Sequence, residues 1–276
     1  MNKTMARLLT ASAALAFTAG SVHASTIIYE DDFSGSGAAD LDGTTPDTTT
    51  GGETWVANTN FKADGSLGSS SSSATLAFTP VDGLVYTLEG SLGTLTGGGQ
   101  WVAVGFANGQ PDASGTDTRF ISNNNAPATD NVIGLAWIFG RGDASVNANR
   151  AFLGSDPTVT GGSVGTADGA DWTSSGNISG GNLDLRIVLD TTGGAGTWTV
   201  TWLVDTTPDT DAVDDFVVVR ATTSLLSEDI DSVGFATSGG LTSGQISSFS
   251  LTSVPEPGSL ALLAAGGFCV LRRRRS

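Results

Sequence analysis

Apolar residues recur at every second position in several stretches of this 276-residue chain. A period of two is the signature of a strand with one buried face. Within residues 183–189 it puts Leu183, Leu185, Ile187 and Leu189 on one face, with Asp184 and Arg186 on the other. Within 197–204, Trp198, Val200, Trp202 and Val204 share a face and are opposed mostly by threonines. Residues 190–196 between them supply the glycines that a hairpin loop needs. Further strands are expected at 26–33, 74–79, 84–92, 101–107, 132–139, 216–221, 232–236 and 246–252, separated by Gly, Ser, Thr, Asn and Asp. Outside the two ends no segment has helical period and useful length. The fold class expected is all-β, an antiparallel two-sheet β-sandwich.

The ends are a different material. Residues 1–24 carry Lys3 and Arg7, an apolar stretch over 8–19 and the small-residue pattern Val22-His23-Ala24 before Ser25. This reads as a secretory signal peptide in helical form, cleaved after Ala24. The alternative, a buried N-terminal helix, fits poorly with the lack of acidic residues. At the other end, Pro255, Glu256 and Pro257 precede an apolar run over 260–271 and then Arg272, Arg273, Arg274 and Arg275. About a dozen apolar residues are short of the roughly 20 that span a bilayer core as a helix, but residues 257–271 suffice for a thinned one. The arginines stay on the cytoplasmic side under the positive-inside rule, and the chain ahead of the prolines lies outside. The expected domains are a signal peptide (1–24), a β-sandwich (25–253) and a sorting tail with a short transmembrane helix (254–276).

The tail resembles the PEP-CTERM sorting signal of Gram-negative bacteria that make extracellular polysaccharide. The resemblance rests on Pro255, Glu256 and Pro257, the apolar span and the four arginines, in that order. It implies recognition by an exosortase, a transpeptidase-like membrane enzyme that removes the tail, with transient residence in the inner membrane. A plain anchor that is never cleaved is the alternative.

Processing at both ends bounds the chemistry. The single His, His23, lies in the signal peptide and the single Cys, Cys269, in the tail. A mature chain without them has no Ser-His-Asp or Cys-His nucleophilic site, no His or Cys zinc site and no internal disulfide. Its six basic residues face 27 acidic ones once both ends and Glu256 are set aside, a balance near −21. Such a surface repels nucleic acid and anionic membrane. It suits divalent cations or neutral sugars outside the cell.

Two further features narrow the fold. An Asp31-Asp32-Phe33-Ser34 element follows the first expected strand, and residues 246–251 close the body of the chain. With the strand count and order, they resemble the concanavalin A-like jelly roll of legume lectins, laminin G domains and several glycanases. That resemblance implies that the first and last strands lie side by side, with the tail beside the N-terminus on one edge of the sandwich. An immunoglobulin-like or other β-sandwich is the alternative. Laminarinase-like members carry a Glu-x-Asp-x-x-Glu strand, which is absent here, and Glu occurs only at 30, 53, 89, 228 and 256. A glycosidase needs two converging carboxyls; with so few glutamates the obvious pair is absent, and two aspartates are the alternative for that role.

Candidate binding residues follow from local context. Trp101, Trp137, Trp198 and Trp202 sit in apolar strands and read as core. Trp55 and Trp172 lie in polar surroundings rich in Gly and Asp, and are the candidates for stacking on a sugar ring or for plugging the end of the sandwich. Asp209, Asp211, Asp214 and Asp215, between two expected strands, offer oxygens of the kind calcium takes, or form a solvated hairpin tip. Asp31 and Asp32 read the same way. The function expected is that of an exported, non-catalytic structural or adhesive protein of the cell envelope or exopolysaccharide matrix. A calcium-dependent carbohydrate-binding module and a glycoside hydrolase are the alternatives.

Overall fold

Alternating burial organises the chain as its alternating sequence requires. The computed structural model describes residues 24–68, 72–93, 102–107, 134–139, 150–154, 163–165, 183–205, 216–237 and 244–255. The strands are β1 (Thr26–Asp31), β2 (Thr48–Thr49), β3 (Val56–Ala57), β4 (Ser72–Ala77), β5 (Leu84–Leu92), β6 (Val102–Ala107) and β7 (Gly134–Phe139). They continue with β8 (Arg150–Gly154), β9 (Ser163–Gly165), β10 (Leu183–Asp190), β11 (Trp198–Asp205), β12 (Phe216–Thr223), β13 (Ser232–Thr237) and β14 (Ile246–Pro255). The one helical element among the described residues is a 3-10 turn, Ser227–Asp229. No helix among them is long and apolar enough to cross a membrane.

Two seven-stranded sheets result, ordered β12-β11-β10-β5-β14-β1-β2 and β3-β4-β13-β6-β7-β8-β9. The ladders between described strands are antiparallel, for example Ile187 opposite Leu88 on one side and Trp202 on the other. Leu185, Ile187, Leu189, Trp198, Val200 and Trp202 are buried as their spacing predicts, and they pack with Leu76, Val104, Phe106, Val233 and Phe235 in one core. In β6 and β13 every residue is buried, with Ala103, Gly105 and Ala107 alternating with Val102, Val104 and Phe106. The β10–β11 loop turns at Gly194 and Gly196, both at positive φ, as its composition predicts. The hydroxyl of buried Thr191 ties that loop to the next turn, accepting from Leu84 N–H (3.1 Å) and donating to the Leu84 carbonyl (2.7 Å).

β1 pairs with β14, Thr26 opposite Ser253 and Asp31 opposite Phe249, so the first and last strands lie side by side as the jelly-roll resemblance implies. β14 lies between β5 and β1, and the two-residue β2 forms the border of the sheet. Residues 1–23 and 256–276, to which the signal helix, membrane helix and arginines were assigned, lie outside the described residues.

Candidate functional site

β1 stops at Asp31 for a local reason. Phe33 adopts φ +52°, a left-handed conformation uncommon for a residue with a large side chain. Its N–H donates to Asp31 Oδ1 (2.8 Å), and its ring packs against Trp55 and Phe235 at centroid distances of 5.9 Å. The expected strand through residue 33 is therefore cut short by this turn.

The turn leaves three carboxylates together. Asp31 is 8% exposed, and its Oδ2 accepts the indole N–H of Trp55 at 2.7 Å. Asp32 Oδ1 accepts Ser34 N–H (3.0 Å), while Asp32 N–H donates to Asp47 Oδ2 (3.0 Å). One oxygen from each of Asp31, Asp32 and Asp47 lies within 4.8 Å of the others. Burial pushes the Asp31 carboxyl above its ordinary pKa. The bonds from Trp55 and Phe33 oppose that shift, and the charges of Asp47 and Asp32 add to it. The donor set suits a hard cation such as calcium, whose usual six to eight oxygens would require carbonyls or water as well.

Trp55 is the main correction. It is fully buried, with Phe235 at 5.3 Å and Phe249 at 5.2 Å, and so presents no face to a sugar. It is a core residue, because the indole N–H finds a buried carboxylate and the ring joins an aromatic cluster with Phe33, Phe61, Phe235 and Phe249. Trp172, Asp209, Asp211, Asp214 and Asp215 lie outside the described residues. Asp31 departs from the solvated reading, being buried. Asp47 was not anticipated, since only the pairing of β2 with β1, Thr48 opposite Glu30, brings it near. Two acids fifteen positions apart give no signal in sequence.

Trp198 and Trp202 are core residues as expected. Trp198 donates to Asp82 at 2.9 Å, whereas the buried indole N–H of Trp202 has no partner among the described residues.

The other functional feature is where the chain leaves the sandwich. β14 runs through Val254 to Pro255, two residues into the segment assigned from sequence to the tail. Pro255 is thus both the last residue of a strand and the first of the Pro-Glu-Pro element.

Comparison with solved structures finds sandwiches of low identity. The Emp47p carbohydrate recognition domain is 12% identical, with 82% of this chain and 95% of that one covered, at a TM-score of 0.40. The VIP36 exoplasmic/lumenal domain in its Ca2+/Man3GlcNAc-bound form is 15% identical over 83% and 87%, at 0.38. A Bacillus subtilis protein of unknown function with a galectin-like fold is 10% identical over 85% and 100%, at 0.40. Comparison of the sequence with curated proteins gives no match. At the C-terminal end, residues 253–275 match the PEP-CTERM protein-sorting motif, and the chain is by that motif an exported, sorted protein.

Proposed function

We propose that this is a non-catalytic structural or adhesive component of the cell envelope or exopolysaccharide matrix, processed by an exosortase-type enzyme. The observation that carries the reading is the sorting motif at residues 253–275, joined to a two-sheet sandwich. An excess of 28 acidic over 12 basic residues supports a role away from nucleic acid and anionic membrane. The shortage of glutamates and the fate of His23 and Cys269 support a role without catalysis. Fractionation of the producing cells tests the assignment. Mature protein lacking Arg272, Arg273, Arg274 and Arg275 is expected in the envelope or matrix. Intact arginines on surface protein, or release of reducing ends from a polysaccharide panel, would overturn it.

A calcium-dependent carbohydrate-binding module is the second reading, favoured by the convergence of Asp31, Asp32 and Asp47. It predicts a rise in Tm of several degrees on adding calcium, lost in Asp47→Asn, with calcium-dependent retention on a glycan column. A Tm indifferent to calcium removes it.

A further inference from the structure

A basic side chain on the outer face of a sheet is stabilised by an acid on the neighbouring strand. Arg186 has one, Glu89, across β10 and β5, and Lys62 pairs with Asp40. Arg220 is placed differently. It stands in β12 opposite Thr201, and Thr222 stands opposite Thr199. The acid of β11, Asp205, is at the far end of the strand, opposite Phe216. β12 forms the border of its sheet, so no strand of that sheet lies on its other side to supply a carboxylate. Arg220 is exposed and has no acidic partner among the described residues.

Among the described residues, Thr199, Thr201, Arg220, Ala221 and Thr222 line a groove of about 470 Å³, within the size range of small-ligand sites. Thr199 and Thr222 are exposed and Thr201 is half-buried. No hydrogen bond among the described residues occupies these three hydroxyls. Residues on one face are spaced by roughly 7 Å along a strand and roughly 5 Å across a ladder. The four polar side chains therefore form a rectangle about as large as one sugar ring with its substituents. Its chemistry is one fixed positive charge and three groups that each donate and accept a hydrogen bond. A guanidinium fork matches a carboxylate with two parallel bonds, and hydroxyls match the hydroxyls of a sugar ring.

We propose that this groove binds a uronic acid unit of an acidic polysaccharide, Arg220 holding the carboxylate and Thr199, Thr201 and Thr222 the ring hydroxyls. Charge favours this class over phosphate. With 28 acidic residues against 12 basic, the chain opposes any anion, and a phosphate monoester of roughly two charges more than a carboxylate of one. At physiological salt that opposition is screened beyond about 8 Å, and the contact with Arg220 decides. The proposal deepens the matrix reading above and rests on it for the source of the polysaccharide.

Titration calorimetry of the native mature protein with polygalacturonate and with alginate, at physiological salt, tests this. Binding to at least one is expected, and binding weaker by about tenfold or more to its esterified form, which keeps the ring and loses the charge. Arg220→Gln is expected to lose about tenfold or more with Tm unchanged, since Arg220 has no ion pair to forfeit, and Thr201→Val about threefold. Lys62→Gln is expected to bind as the unaltered protein does. No binding to either polymer overturns the proposal, as does binding that survives esterification or Arg220→Gln undiminished, or that Lys62→Gln weakens equally. Poly-L-glutamate bound as tightly as the uronate polymers overturns it too, the ligand then being an acidic peptide. None of these failures touches tail processing or cellular location, which the fractionation reads separately.

Discussion

Asp31 and Trp55 are a polar pair inside an aromatic cluster, and each depends on the other. Removing a buried group's partner costs about 1–3 kcal/mol. Trp55→Phe keeps most of the apolar ring but deprives the Asp31 carboxylate of the 2.7 Å bond. It is expected to destabilise the domain by about that amount in denaturant titration. Tyr29 makes a second such prediction. Its hydroxyl donates to the Ala77 carbonyl on the opposite sheet, and burial, with the nearby Glu53 charge, raises its pKa to about 12. Because the folded state favours the neutral phenol, its contribution is complete below the unfolded pKa near 10 and is lost as pH rises toward 12. Stability is expected to fall over that interval, less steeply in Tyr29→Phe, as chemical denaturation at pH 9 to 12 would show. Trp55 also marks the reach of sequence reading. Its Gly-rich and Asp-rich neighbours are what an exposed loop looks like, and nothing local reveals that Asp31 waits across the core.

The elements were far more legible than the site. Each of the ten stretches read as strands overlaps one, and a half-buried strand such as β5 or β10 writes its period into the sequence. β2 and β3 have two residues each and β9 has three, too few to show a period, and the five of β8 lack the alternation. Yet β2 is what brings Asp47 to the acidic cluster, so the weakest signal positions the least predictable residue. Gly65 shows how tightly the elements join. It has φ +77°, and a Cβ there would lie 1.9 Å from the Ile246 carbonyl oxygen at the start of β14. Gly65→Ala is therefore expected to cost more than the usual penalty of about 1 kcal/mol for a left-handed residue, read as a lowered Tm. For β14 itself, ending the chain at Ser250 removes Leu251 from the core and takes from β1 its partners at Thr252 and Ser253. A loss of at least about 3 kcal/mol is expected from the truncated core alone, against little change for a chain ending at Pro255.

At the scale of the whole molecule, the pairing of β1 with β14 joins segments from nearly opposite ends of the sequence. Contacts of such high sequence separation form slowly, since the loop they close must be ordered first. β1 precedes and β14 follows all the other strands of the described residues. Until it emerges, β1 has no neighbour but the two residues of β2, and β5 lacks the strand on its other flank. Without it the chain can complete neither the sheet nor the core beneath it. A topology that closes last on its own beginning makes the final strand the piece that joins the two ends of the chain, so neither the sheet nor the core under it is complete until that strand is present.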